Sequence, residues 1–212
     1  MKWLGLNWPQ VVALLGDHIR LVVPAIALSI LIAVPVGRLA GRHRSLGRPL
    51  LGVATLLYAV PALPLLVILP VVLGLPLRSA VTITAALTIY GVALLVRTAA
   101  DAFGAVDAGV HEAAVALGYS GWGLFWRVDL PLAVPVLLSG IRVVVVSTVG
   151  LATIGALTGQ SSLGTLLTDG FQRGIAGEVV TGVVVTVVLA LVLDGLTLLV
   201  GRAITPWRRV AA

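Results

Sequence analysis

Few residues of this 212-residue chain have the types and spacing that catalysis or metal binding requires. The chain has no cysteine, which excludes a disulfide framework, a thiolate metal site and a cysteine nucleophile. The three histidines, His18, His43 and His111, are isolated and lack metal-ligand spacing, so each is expected to be an ordinary interfacial residue. No Gly-rich phosphate loop ends in Gly-Lys-Ser/Thr. We therefore expect no catalytic residue, no metal and no cofactor in this chain.

Two charged residues, Arg142 and Asp194, stand inside otherwise apolar runs. Counted from Pro131 and Arg202, at about 1.5 Å per residue, they lie roughly 12–16 Å from the ends of their helices. Isolated charges in hydrocarbon are costly and tend to pair. Either the two form an ion pair, or Arg142 extends to the interface and Asp194 faces a wet cavity.

The composition places most of the chain in a membrane. It is 59% hydrophobic and 10% charged, whereas soluble domains are about 25% charged. A bilayer core about 30 Å thick needs roughly 20 apolar residues per helix, so this length supplies about five spans and no separate soluble domain. The long runs lack strict alternation, so the fold is predicted to be an all-α membrane helix bundle.

The apolar runs predict five spans within a single domain, residues 1–212. The spans are about 20–40, 50–73, 79–97, 134–157 and 179–201. Residues 8–20 are expected to form an interfacial helix that leads into the first span. In the second span, Pro61, Pro64 and Pro70 predict a broken or bent helix, either for packing or to line a pathway.

The distribution of Lys and Arg predicts the orientation, because cytoplasmic loops carry an excess of both. Ten fall on alternate loops that would share one side: Arg38, Arg42, Arg44, Arg48, Arg97, Arg127, Arg142, Arg202, Arg208 and Arg209. Four fall on the other side: Lys2, Arg20, Arg78 and Arg173. The N-terminus is therefore predicted outside and the C-terminus inside. Trp3 and Trp8 fit an outer aromatic belt and Trp207 an inner one. The same bias explains the net charge of +6 without nucleic acid.

Residues 98–131 are too polar to span a membrane and too long for a turn. Asp107 is predicted to cap a first short helix, and Gly118 suits its C-terminal end. Ser120 can cap a second short helix, which is expected to stop near Pro131. The result is a helix–turn–helix on the cytoplasmic side.

An aromatic face is predicted on the second short helix. Trp122, Phe125 and Trp126 stand at i, i+3 and i+4, so they share one side of the helix. This face could dock a partner or lie on the membrane interface, and periodicity favours neither.

A spaced motif in residues 98–131 carries a family resemblance. Glu112-Ala113-Ala114, Gly118, Leu130 and Pro131 match the spacing E-A-A-x₃-G-x₉-I-x-L-P, with Val128 in the Ile place. This resembles the motif of permease subunits of ATP-binding-cassette (ABC) importers, in which the loop inserts into a groove of a separate ATPase. We therefore call residues 98–131 the coupling loop. The resemblance assigns to ATPase coupling Glu112, Ala113, Ala114, Gly118, Tyr119, Ser120, Trp122, Phe125, Trp126 and Pro131.

The whole chain is similar to the short permeases of osmoprotectant importers, which carry glycine betaine, carnitine, choline or proline betaine. The similarity is carried by the stretches 17–37, 127–142 and 193–206. In one departure, Ser161 and Ser162 replace two glycines that the family usually has after the fourth span. The resemblance implies a prokaryotic cytoplasmic-membrane protein with a helix bundle of the MetI-like importer-permease type.

The resemblance also implies partners. ATP and Mg²⁺ would bind separate cytoplasmic ATPase subunits, so this chain would not be an enzyme. A second permease copy or paralogue would complete the pathway in the lipid bilayer, and an extracytoplasmic binding protein would select the substrate. The candidates for the pathway or for intramembrane contacts are Tyr58, Pro61, Pro64, Tyr90, Arg142 and Asp194. Two tyrosines are too few for a tight aromatic cage around a quaternary ammonium.

Other functions fit parts of the sequence. A permease for another small solute, such as an amino acid, would carry the same motif. A secondary transporter or channel subunit generally shows intramembrane acids or helix repeats. Here Asp194 is the single intramembrane acid, and no repeat is visible. A membrane scaffold would explain the spans but not the motif.

Overall fold

The computed structural model describes residues 2–76 and 78–206 and is built from helices. The predicted inner-side residues Trp207, Arg208 and Arg209 lie outside the described residues. In chain order the helices are α1 (Lys2–Arg42), α2 (Arg44–Ala59), α3 (Ala62–Leu73), α4 (Ala80–Gly104), α5 (Ala108–Ala116), α6 (Gly121–Leu124), α7 (Leu130–Ala152), α8 (Gly164–Gln172) and α9 (Ala176–Ile204). A π-helical turn (Phe125–Asp129) joins α6 to α7, and a 3₁₀ turn (Thr153–Thr158) follows α7.

Within the described residues, four helical segments are long and apolar enough to cross a membrane: α1, α4, the continuous α6–α7 segment and α9. Helices α2 and α3 form a fifth candidate span that is bent by 111°. The bend lies at Val60 and Pro61, so the predicted break in the second span is present. The all-α bundle of about five spans is confirmed.

The first helix differs from the prediction. No separate interfacial helix covers residues 8–20, because α1 runs from Lys2 to Arg42 with one non-helical residue, Asn7. Val11, Leu14 and His18 are buried, so this part packs into the bundle instead of lying on its surface. At 1.5 Å per residue α1 is about 60 Å long, which exceeds the bilayer thickness of about 40–45 Å.

The helices around the coupling loop also extend further than predicted. Helix α4 continues to Gly104, so the first residues of the loop are helical. The second short helix does not stop near Pro131 but runs through the π-turn into α7. Pro131 lies in the first turn of α7, where a missing N–H is tolerated. In the π-turn Leu130 bonds Phe125 five residues back, which shifts the hydrogen-bond register just before the proline.

Helix α8 is absent from the prediction. The apolar run of the fourth span continues to Thr168, so hydropathy alone shows no end at Ala152. In the structure a 3₁₀ turn ends this span, and Gly159 follows with a φ of 85°. The chain then forms the short helix α8 before it enters α9.

Close packing of α1 on α4 depends on small residues. A Cβ added to Gly37 or Gly41 would collide with the backbone of Ala99 or Ala100. Small residues allow helix backbones to approach within the membrane, where contacts cannot gain from water exclusion. The C-terminal end of α1 is therefore held firmly against α4.

His18 connects α1 to the break between α7 and α8. Its Nδ1 accepts the N–H of Leu163 at 3.3 Å, and its Nε2 lies 3.2 Å from the carbonyl oxygen of Val149. These two bonds require the tautomer that carries its proton on Nε2. The N–H of Thr153, the normal α-helical partner of Val149, bonds Gly150 instead. The expectation of an ordinary interfacial histidine is thus wrong, because His18 is 0% exposed and satisfies two backbone groups.

We predict that His18→Leu lowers the free energy of unfolding by about 2–6 kcal/mol. The substitution leaves two buried backbone groups without partners, and each such group costs about 1–3 kcal/mol. Denaturant unfolding of the purified chain in detergent measures the change.

His43→Leu is the matched control, because His43 is exposed and its side chain makes no capping bond. The control is expected to change stability by less than about 0.5 kcal/mol. Equal effects of the two substitutions would contradict the bridging role of His18.

Candidate functional site

The first helix of the coupling loop is capped at both ends, as predicted. The Asp107 side chain accepts the N–H of Val110 at 3.1 Å. At the other end, Gly118 has a φ of 82°. Its N–H bonds Val115, and the N–H of Tyr119 bonds Ala114, a pattern that satisfies the last carbonyls of α5. The turn is therefore rigid and requires glycine at position 118.

The motif residues lie on an accessible helix. Glu112 and Ala113 are exposed on α5, while Ala114 is buried beneath them. Among the described residues Glu112 has no hydrogen-bond or ion-pair partner, so its carboxylate is available to a group outside this chain. The small alanines keep this surface flat enough for close contact.

The aromatic residues form one cluster, as their spacing predicts. Trp122 and Trp126 pack edge to face with ring centroids 5.6 Å apart, and Phe125 lies 5.0 Å from Trp126. Ser120 begins this segment by accepting the N–H of Gly123. Trp122 is 74% exposed, and a surface cavity of about 540 Å³ adjoins the cluster.

The aromatic cluster borders two surfaces. The cavity of about 540 Å³ is lined by residues of the turn, among them Gly118 and Tyr119. A second, apolar groove of about 500 Å³ joins the cluster to Leu31 of α1, Val134 of α7 and Ile204 of α9. One side of the cluster thus faces the turn and the other faces the spans. The geometry is compatible with both partner docking and membrane contact.

A buried ion cluster lies beneath the coupling loop. Asp129, the last residue of the π-turn, is 1% exposed. It accepts a hydrogen bond from Arg38 at 3.1 Å and forms an ion pair with Arg42 at 2.8 Å. The Nδ1 of His111, on α5, lies 2.7 Å from Nη2 of Arg42 and 3.2 Å from Oδ1 of Asp129. Arginine can only donate, so Nδ1 accepts from Arg42. His111 is thus joined to Asp129 through Arg42.

Sequence reasoning did not identify this ion cluster. Asp129 precedes the motif pair Leu130-Pro131, and nothing local distinguishes it from a solvated acid. Arg38 and Arg42 were assigned only to the orientation of the first span. Their spacing of four residues places both on one side of α1, which was the available signal.

The intramembrane charges Arg142 and Asp194 are paired. Arg142 on α7 donates from Nε to Oδ1 and from Nη2 to Oδ2 of Asp194 on α9, both at 2.7 Å. Two parallel bonds of this kind fix the orientation of both side chains. The structure thus selects the ion pair over the alternative of an extended Arg142 and a solvated Asp194.

The break in the second span opens a cavity of about 560 Å³. Tyr58, Pro61 and Tyr90 line it, and the two rings pack edge to face at 6.4 Å. The hydroxyl of Tyr90 donates to the carbonyl of Val60. In an unbroken helix that carbonyl would bond the residue at 64, which is proline and has no N–H. Pro64 therefore leaves the Val60 carbonyl without a helical partner, but Pro64 itself is not among the residues that line the cavity.

The fold and the loop together define a class: a multi-pass membrane permease with a rigid, exposed turn at Gly118. Residues 29–210 match the family described as "Binding-protein-dependent transport system inner membrane component". The chain belongs to this family. It is a permease subunit of an ABC importer and not an enzyme, and ATP hydrolysis belongs to a separate subunit.

Relatives agree over nearly the whole chain. It is 33% identical to the osmoprotectant import permease protein OsmW of Salmonella typhimurium, over 94% of each chain. It is 26% identical to the glycine betaine/carnitine/choline transport system permease protein OpuCB of Bacillus subtilis, over 97% of this chain and 94% of the relative. Among solved structures, the inward-facing MetNI methionine ABC transporter matches with a TM-score of 0.81 and 22% identity, covering 97% of this chain and 98% of the other. That likeness confirms the fold.

We predict that Arg142 and Asp194 are energetically coupled. Removing one partner leaves an unpaired charge in the bundle, so Arg142→Gln and Asp194→Asn together are expected to cost less than the sum of the single changes. The free energy of unfolding in detergent, measured for the four proteins of the cycle, gives the coupling.

A second cycle pairs Asp194→Asn with Arg97→Gln as control. Arg97 is exposed and has no ion-pair partner among the described residues, so these two changes should be additive. Additivity in the Arg142 cycle as well would show that the bidentate pair contributes nothing.

Proposed function

We propose that this permease imports a small zwitterionic or cationic osmoprotectant of the glycine betaine, carnitine, choline or proline betaine type. The observation that supports this most is the similarity to OsmW and OpuCB over nearly the full length, since their names state such transport. The motif sits in a rigid, exposed turn, which supports ATP-driven import as the mode of transport.

The coupling loop is proposed to dock into ATPase subunits. The Gly118 turn presents a fixed shape, and the Glu112 carboxylate is accessible to a partner cation. A ligand-driven change must be carried by contacts that differ between two states of the complex. The capped helix α5 and the edge-to-face aromatic cluster can transmit a displacement of the ATPase to the spans, because neither deforms easily.

The pathway is proposed to include the cavity at the second-span break. Tyr58 and Tyr90 offer aromatic surface to a passing quaternary ammonium group, while no charged side chain is among the residues that line the cavity. Weak contacts suit transit, because a tight site would retain the substrate. Selection is then the task of the separate binding protein.

A second permease, a copy or a paralogue, is proposed to complete the pathway. Along α9, Val184, Leu191 and Leu199 are exposed, so this span offers an apolar face to lipid or to that second permease. A bundle of five spans is too small to enclose a route for solute alone.

The orientation is proposed to be N-terminus outside and C-terminus inside. The C-terminal ends of α1 and α9 carry the basic residues Arg42 and Arg202. Both ends lie on the same side of the bundle as the coupling loop, because residues of α1, α9 and the loop line one groove. Cytoplasmic loops carry the excess of Lys and Arg. At the opposite end, Trp8 is 57% exposed, as a residue of an outer aromatic belt would be.

Deletion of the gene is expected to reduce uptake of radiolabelled choline or glycine betaine by cells at high osmolarity. The reason is that no pathway remains once the permease is lost, even if the binding protein is intact. Reintroduction of the gene serves as control. Unchanged uptake of both compounds, with loss of uptake of another solute such as an amino acid, would contradict the assignment.

Gly118→Ala and Glu112→Ala are expected to leave the permease in the membrane but weaken ATPase co-purification and uptake. An added Cβ at the left-handed position costs about 1–2 kcal/mol and distorts the docking turn. Glu112→Ala removes only an exposed carboxylate, so it should affect the partner contact and not the fold. The amount of ATPase that co-purifies with each permease variant measures the loss of docking. Uptake of radiolabelled substrate measures the loss of transport.

Gly121→Ala is the matched control, since Gly121 has open space around it and no positive φ. It should bind the ATPase normally.

A single cysteine at Leu117, which is 79% exposed, should react with an impermeant reagent only after permeabilisation and be protected by the ATPase. Labelling in intact cells would contradict the orientation, and normal binding by both loop variants would contradict docking.

A further inference from the structure

The buried carboxylate of Asp129 joins the start of α7 to the end of α1. Its Oδ2 accepts a hydrogen bond from Nη2 of Arg38 at 3.1 Å and forms an ion pair with Nη2 of Arg42 at 2.8 Å. Both arginines lie in the last turns of α1, one helical turn apart. The carboxylate is 1% exposed, so solvent does not compete for these bonds.

The same carboxylate reaches α5 through Arg42. Nη2 of Arg42 also donates to Nδ1 of His111, at 2.7 Å. His111 directly precedes Glu112, the first residue of the motif. One arginine therefore connects α5, which we call the coupling helix, to the start of α7 in the fourth span.

The aromatic cluster is attached to this network as well. The guanidinium of Arg38 lies 4.5 Å from the centroid of the Phe125 ring, a cation–π contact. Phe125 in turn packs on Phe103 of α4, with centroids 6.1 Å apart. Helix α4 is thus connected to the network through Phe103 and Phe125.

Charge balance explains why these elements should move together. Arg38 and Arg42 carry like charges on one side of α1, and the single negative charge of Asp129 offsets their mutual repulsion. Separating α7 from α1 would leave a buried carboxylate and two adjacent cations without their partners, which is strongly unfavourable. Separating α5 from α1 would break the bond between Arg42 and His111. A displacement of the coupling helix is therefore passed to α1 through Arg42, and from α1 to α7 through Asp129.

We propose that Asp129 is a positioning residue that locks the coupling helix to the first and fourth spans and thereby transmits ATP-driven motion to them. This inference rests on the proposed coupling to an ATPase. It assigns to Asp129 a role in the efficiency of transport that differs from a contribution to folding.

The test uses the complete transporter, with its ATPase subunits and binding protein, in proteoliposomes. Uptake of radiolabelled choline or glycine betaine and ATP hydrolysis are measured in the same vesicles. Asp129→Asn should lower the uptake per ATP hydrolysed about twofold to thirtyfold, the range expected when a residue contributes to coupling between sites. Asp129→Glu keeps the charge and should recover most of this ratio.

Asp169→Asn is the control, because Asp169 is an acid on α8, outside the coupling loop, and has no ion-pair partner among the described residues. It should keep the wild-type ratio. An unchanged ratio in Asp129→Asn would overturn the proposal. A parallel fall of uptake and hydrolysis, matched by the amount of folded complex, would overturn it too, because that result indicates stabilisation alone.

Arg42→Gln provides an independent variant if Asp129→Asn does not assemble. It removes the link to His111 and leaves Arg38 to neutralise Asp129. The ratio should fall here as well, and a wild-type ratio would overturn the proposal. Failure of the unchanged complex to couple ATP hydrolysis to uptake of either compound would instead overturn the proposed function.

Discussion

Every backbone polar group of a span must find its partner within the protein, because the bilayer core offers no water. This constraint decides where the helices of this permease can break and what must lie beside each break. At the second span, Tyr90 supplies the donor that Val60 lacks. At the end of the fourth span, His18 serves both Val149 and Leu163. Two helices are thus positioned by the breaks in their neighbours.

Charged side chains within the bundle must likewise find their partners within the protein. Arg142 meets Asp194 between α7 and α9, and Asp129 gathers Arg38 and Arg42 at the end of α1. The two clusters have different consequences. The pair of Arg142 and Asp194 joins two spans within the bundle. The cluster around Asp129 joins spans to the loop that is proposed to dock into the ATPase. The second span is broken beside the cavity that Tyr58 lines, whereas the ion cluster of Asp129 connects the helices beneath the Gly118 turn.

Local chemistry made much of this predictable. The caps at Asp107 and Ser120 and the positive φ of Gly118 follow from residue type and position, since each depends on neighbours a few residues away. Contacts between distant segments were harder. His18 looked interfacial because its partners lie more than a hundred residues away, and Asp129 looked ordinary because its partner Arg38 lies 91 residues away. Pro131 was read as a helix end because a π-turn leaves no sequence signature.

The central claim is that the coupling helix and the ends of α1 and α7 behave as one rigid unit. Spin labels at Val115 on α5 and Leu39 on α1, both exposed, report it directly when placed in one permease of the complete transporter. The distance between the labels is measured by pulsed electron paramagnetic resonance with and without ATP. The account predicts one narrow distance distribution that ATP does not shift. A shift on ATP binding, or a broad distribution in either state, would contradict it.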